Sequence, residues 1–148
     1  MAEPHDRSDR FELIAACGGE TLVRLADDVL DGQTPVRVLQ EPKSQLLMQQ
    51  VREPVERRPF NLGELLVTTA EVECAGERGF AMVPGKAESK AVSGAIVDAA
   101  VAADHEATPR ICETLTDAAS DRSKRRRRQW NESRATTVAF ETMEDEDE

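Results

Sequence analysis

The stretch Gly79–Lys86, GFAMVPGK, invites a test for nucleotide chemistry. A phosphate-gripping loop needs Gly, four residues, then Gly-Lys followed by Ser or Thr. Backbone N–H groups then cradle phosphates and the hydroxyl takes the metal. Counting back from Gly85-Lys86 lands on Phe80, and Ala87 follows the lysine. Spacing and metal ligand both fail. The histidines offer little more: His5 lies in the N-terminal segment, and His105, in ADHEA, reads as a helix-end residue near the negative end of the dipole. No serine has the G-x-S-x-G setting of a nucleophile elbow, and no His/Cys/Asp set has metal-ligand spacing. No catalytic and no metal-binding residue is expected.

Four charged features remain. Asp98, inside an Ala-rich helical stretch, reads either as a buried acid or as a boundary residue making a hydrogen bond, and the boundary reading is favoured. Glu64 precedes the strongest strand, where it binds an arginine or is solvated. Lys86 opens a helix and, with Glu64, is a candidate substrate-binding residue. The run SKRRRRQW, with Arg125–Arg128, spreads over roughly 300° of a helix at 3.6 residues per turn. Four arginines so arranged cannot all share one solvated face. Either the helix has ended, or the run is a solvated helix end, or it meets carboxylates, a partner protein or a phosphorylated ligand.

These residues need elements to hold them. Residues 1–8 are expected to be disordered and 144–148 to be an acidic disordered tail, with one domain over 9–143. DRFELIAAC reads as a short helix capped by Asp9, with Glu12 three residues on. GETLVRLADDVLDG reads as a second helix, with Leu22, Leu25, Val29 and Leu30 on one face and Gly32 as its stop. The period then changes to two. TPVRVLQEP and SQLLMQQVREP read as separate extended segments bracketed by Pro42 and Pro54. GELLVTTAEVECAG is the best strand, with Leu66, Thr68, Ala70, Val72 and Cys74 on one face. Gly76–Gly79 is expected to turn the chain into GFAMV, so that Gly79 and Gly85 bound a hairpin arm. A helix follows with Val92, Ala95, Ile96, Ala99 and Ala103 on one small-residue stripe. Thr108-Pro109 caps another, with Ile111, Leu115, Ala118 and Ala119 buried. RATTVAFETM alternates like a strand or extended arm. The expected class is α+β: an N-terminal helical pair, a four-stranded mainly antiparallel sheet, C-terminal helices on one face and an extended C-terminal arm.

Composition narrows the classes. The chain has 148 residues, 29 acidic against 19 basic side chains, and a formal net charge of −10. That acidity argues against general nucleic-acid binding and, with lysine rare, suggests a salt-adapted source. Cys17, Cys74 and Cys112 are odd in number and far apart, which reads as three reduced, buried, structural thiols in a cytoplasmic protein. No signal-peptide core and no membrane-spanning run is legible.

Taken together, RRPFNLGELLVTTAEVE, GERGFAMVPGKAESKAVSGAIVDAA and SRATTVAFETM resemble the PhnG subunit of the carbon–phosphorus lyase system, from about Arg57 to Met143. The matching elements are Pro59, Phe60, Gly63, Glu64, the Leu65–Thr68 strand, the Gly79–Gly85 arm, Asp98-Ala99 and the terminal TTVAFETM. The resemblance implies an accessory subunit working with PhnI-like, PhnH-like and PhnJ-like partners. With a nucleosidase-like PhnI, such a complex displaces adenine from MgATP by a phosphonate, giving a ribose 1-phosphonate 5-triphosphate. The PhnJ subunit then cleaves the C–P bond. It implies no cofactor bound by this subunit, MgATP being a substrate of the complex. The expected partner interface comprises Phe60, Gly63, Glu64, Val138 and Phe140. SKRRRRQW lies outside the motif and the surface is more acidic than the family's. An independent binding or regulatory module using the arginine run is the alternative. A stand-alone enzyme built on Glu64 or Asp98 is a third reading.

Overall fold

The first helix starts earlier than its apolar pattern suggests. In the computed structural model, which describes residues 3–31, 33–52, 55–56 and 59–146 (backbone alone at 49–52, 59–62 and 134–146), α1 spans Arg7–Ala16. Its cap is Asp6, whose carboxylate accepts from the Asp9 N–H at 3.1 Å. Asp9, expected as the cap, sits three residues on and accepts from the Glu3 N–H at 2.9 Å. Asp6 thus satisfies one orphan donor of the first turn, and Asp9 ties the segment before the helix back onto it. Met1 and Ala2 lie outside the described residues, as do Gly32 and Pro54, the expected stop and breaker.

Helix α2, Gly19–Asp31, buries Leu22, Leu25, Ala26 and Val29. Leu30 is exposed rather than core: it lies beside Val29 and so 100° around the helix from it. Among the described residues the sheet has three strands, not four: β1 Val36–Arg52, β2 Pro59–Cys74 and β3 Glu77–Pro84, antiparallel in the order β1-β2-β3. The two extended segments expected either side of Pro42 are one strand. Pro42 falls where the β1–β2 register shifts, between Gln40 and Lys43, on an edge strand. There a missing N–H costs no ladder bond, so the proline does not break the strand.

The β2–β3 turn is two residues long. Ala75 and Gly76 have φ of 52° and 85° between the paired Cys74 and Glu77, the geometry favoured for tight hairpins. Gly79 is therefore not a turn glycine. It lies inside β3, paired with Val72, and a Cβ there would collide with the Ala95 carbonyl oxygen and reach 2.5 Å from the Ala99 nitrogen. Gly85, at φ 77°, does end the strand as expected.

Helix α3, Glu88–Ala102, is the centre of the molecule. Ala91 and every residue from Ser93 to Val101 are buried, so the burial runs around the helix instead of along one stripe. One side packs on Ala70, Val72, Ala81 and Val83, and the others meet α1 and α2. Gly94 lets Ile14 and Ala81 approach: an added Cβ would lie 2.6 Å from Ile14 Cγ2. Small side chains on α3 and glycine on β3 are what bring helix and sheet this close.

Helix α4, Thr108–Glu146, holds Pro109 in its first turn and buries Ile111 and Leu115, with Ala118 and Ala119 packed partly against the core. It does not stop there. The segment expected as a terminal strand or arm is helical, because no glycine or proline follows Pro109 to end the helix. Asp147 and Glu148, the end of the acidic tail, lie outside the described residues.

Candidate functional site

Asp98 accepts three hydrogen bonds from three different residues. It is fully buried in mid-α3, not at a boundary. Arg10 Nε donates to one carboxylate oxygen at 2.6 Å. Arg7 Nη2 and the Phe80 N–H donate to the other at 3.3 and 2.9 Å. The carboxylate thus ties α1, β3 and α3 together. Arg10, itself 3 % exposed, also donates to the Pro4 and His5 carbonyls, and Arg7 to that of Arg78. Phe11 packs edge-on against Phe80 beneath Arg7, at 5.8 Å between centroids. Each oxygen faces cationic or N–H donors. Such an acid, fully buried and bonded through both oxygens, holds architecture.

His105 braces the α3–α4 turn. Its Nδ1 accepts from the Ala107 N–H at 3.0 Å, which leaves the proton on Nε2 to be donated to Thr34 Oγ1 at 2.8 Å. His5 is exposed, with Nε2 3.9 Å from Cys112 Sγ. Cys17 and Cys74 are buried and Cys112 only partly so, which corrects the expectation of three buried thiols; all are free. Among the described residues, no His/Cys/Asp/Glu group is placed to hold a metal ion.

Burial pushes the Cys74 thiol above its ordinary 9.0. Below pH 9 the thiol is protonated in folded and unfolded chains alike. Above it the unfolded chain loses the proton first, so stability falls as pH rises towards the folded value. Urea unfolding of the wild type should weaken between pH 8 and pH 10 more than that of Cys74→Ala, by at most about 1.4 kcal/mol per pH unit.

Lys86 is exposed on the rim of an open cleft of about 980 Å³ between the first turns of α2 and α3. Gly19, Glu20, Arg24, Ser89 and Lys90 also line it. The α3 N-cap is Ala87, with no side-chain hydrogen bond to the first-turn N–H groups. Lys90 is already engaged: it donates to the Ala15 carbonyl at 2.9 Å at the end of α1, and burial lowers its pKa. The cleft therefore offers Lys86, Arg24 and the α3 donors to an anion, against the glutamates of both first turns.

The other sequence candidates lie elsewhere. Strand β3 ends at Pro84, opposite Val67, so the outer parts of β1 and β2 run on as a two-stranded ribbon. Glu64 is exposed there opposite Met48, and Gly63, at φ 143°, lies beside the last register shift. Along β2, Cys74, Val72, Ala70 and Thr68 are buried under α3, and Leu66 and Glu64 continue that face beyond it. Leu66 pairs with Leu46; they are 40 % and 60 % exposed, and Met48 is 61 %. The apolar face of the sheet thus outruns the helix layer. The side chains of Phe60, Val138 and Phe140 lie outside the described residues. Leu46 and Met48 were missed from sequence, where their alternation is that of any half-buried strand.

The family of Phosphonate metabolism protein PhnG matches residues 5–144, nearly the whole chain and all of this geometry. The chain belongs to the PhnG family. No curated protein matches it. Membership places the chain in phosphonate metabolism and in the setting of a carbon–phosphorus lyase complex. The match includes the body around Asp98, the cleft beside Lys86 and the exposed ribbon. Among the described residues, no helix is long and apolar enough to cross a membrane.

Proposed function

We propose that this PhnG-family chain is an accessory subunit that docks on its complex through the β1–β2 ribbon. There it supports transfer of a phosphonate to the ribose C1 of MgATP with release of adenine. The observation that carries the reading is the apolar sheet face at Leu46, Met48 and Leu66, which continues past the helices that would cover it. A two-stranded ribbon with exposed leucines is marginal in water by itself and gains from a second protein surface. The polar side chains at the body's centre are spent on structure, which fits a supporting role. The partner proposed for the ribbon is a PhnI-like subunit, with PhnH-like and PhnJ-like chains completing the assembly. Lys86 is proposed to face the phosphorylated ligand at a subunit boundary.

The test is co-expression with the partner subunits. Leu46→Asp/Leu66→Asp should leave urea stability within about 1 kcal/mol, because both side chains are exposed, yet abolish co-purification of the PhnI-like chain. Undiminished co-purification by that variant would remove the ribbon from the interface.

A further inference from the structure

We propose that Thr68 is a positioning residue for Lys86, its buried hydroxyl fixing the loop from which the lysine reaches an anionic ligand. The inference rests on the reading above that Lys86 faces the phosphorylated ligand at a subunit boundary. Thr68 lies in β2, fully buried, on the face that Ala70, Val72 and Cys74 share beneath α3. Along the strand its neighbours on that face, Leu66 and Ala70, are apolar, so a hydroxyl between them needs a reason. Its Oγ1 donates to the Gly85 carbonyl at 2.6 Å and accepts from the Ala87 N–H at 3.0 Å. The Thr68 proton is thereby used, so Ser44 Oγ, 3.3 Å away, donates to the second lone pair. The hydroxyl's donor and both acceptor positions are filled.

These bonds flank Lys86 on both sides. The Gly85 N–H also donates to the Leu66 carbonyl at 2.8 Å, and the Ala87 carbonyl accepts from the Ala91 N–H at 3.0 Å as α3 begins. The loop backbone is therefore pinned to β2, while the Lys86 side chain stays exposed on the rim of the cleft between α2 and α3. Lys90, four residues on, is held by the Ala15 carbonyl and leaves that rim to Lys86. A lysine stem is long and flexible, so the reach of its ammonium is set by where its base is held. Pinning the base cuts the freedom lost when a ligand binds. A loop released at Gly85 and Ala87 would displace the ammonium enough to weaken a charge-assisted contact.

The experiment is steady-state kinetics of transfer by the complex reconstituted with the PhnI-like chain, varying MgATP at saturating methylphosphonate. Lys86→Ala should raise KM for MgATP about tenfold or more, with kcat little changed. Thr68→Val keeps the side chain's shape without the hydroxyl, and should raise KM about three- to tenfold. Thr68→Ser, which keeps the hydroxyl, should stay near the wild type. The double variant Thr68→Val/Lys86→Ala should have the KM of Lys86→Ala alone, because the threonine acts through the lysine. Co-purification with the partner shows that each variant is folded, and Thr68→Ala replaces Thr68→Val if that chain is not. A wild-type KM in Thr68→Val overturns the proposal. So does a Thr68→Val effect that persists undiminished without Lys86, which would leave Thr68 a residue of the fold alone. A wild-type KM in Lys86→Ala overturns it together with the placement of Lys86. Transfer at full rate without this chain overturns the subunit reading itself, and the proposal with it.

Discussion

Asp98→Ala should be close to unfolded at 37 °C. The substitution leaves Arg10, 3 % exposed, with its charge buried and its strongest partner gone, and strips an acceptor from the Phe80 N–H. Removing one member of a buried, hydrogen-bonded pair costs about 3–5 kcal/mol, a large part of a small domain's stability. Asp98→Asn should lose less, since its carbonyl oxygen still accepts. Arg10→Met, which removes the other member, should lose a similar amount to Asp98→Ala. The double variant Arg10→Met/Asp98→Leu should recover a substantial share, because no isolated charge remains. Urea midpoints of the four chains decide it. Midpoints of Asp98→Ala and Arg10→Met matching that of the wild type would show that the pair contributes nothing to the fold.

The second large effect is steric. Gly79→Val places a branched side chain where α3 already touches the β3 backbone, at Ala95 and Ala99. The helix must lift from the sheet, opening the contacts of Ala70, Val72 and Ala81 beneath it. Overpacking of a tight core costs typically about 1–3 kcal/mol, and here the obstacle is backbone, which cannot rotate away. The loss should fall at the upper end of that range and be accompanied by ANS binding. Gly76→Ala, in the β2–β3 turn, tests the contrast. Open space surrounds that position, so only its positive φ resists the substitution, and the cost should be about 1 kcal/mol. Equal losses at the two glycines would mean that close approach is not what Gly79 provides.

The difference between those glycines also marks where sequence reading stops. The alternation Thr68, Ala70, Val72, Cys74 found β2 and its buried face, and the 3.6 period with the change at Thr108-Pro109 found the helices. Local patterns carry such information because each element must show one face to the core. Local pattern makes Gly79 a turn residue because glycine punctuates chains, but its reason is a helix that arrives from elsewhere in the fold. Arg10 and Asp98 are 88 positions apart, so no local spacing pairs them. Thr136, Thr137, Val138 and Phe140 have strand propensity. Helix α4 reaches them without a breaker, and propensity yields to the preceding turns. Pro42 has the local look of a boundary, although an edge strand tolerates it at a register shift. The ribbon had the least signal: Leu46 and Leu66 alternate as core residues do, and only the end of β3 at Pro84 leaves them uncovered.

The central claim, a supporting subunit for phosphonate transfer, is tested most directly by reconstitution. The purified PhnI-like chain would be given MgATP and methylphosphonate, with and without this chain, while adenine release and the ribose 1-phosphonate 5-triphosphate are followed together. The account predicts the transfer product only when this chain is present, with water attack at ribose C1 in its absence, and no turnover by this chain alone. Full ribosyl transfer by the PhnI-like chain without it would contradict the account.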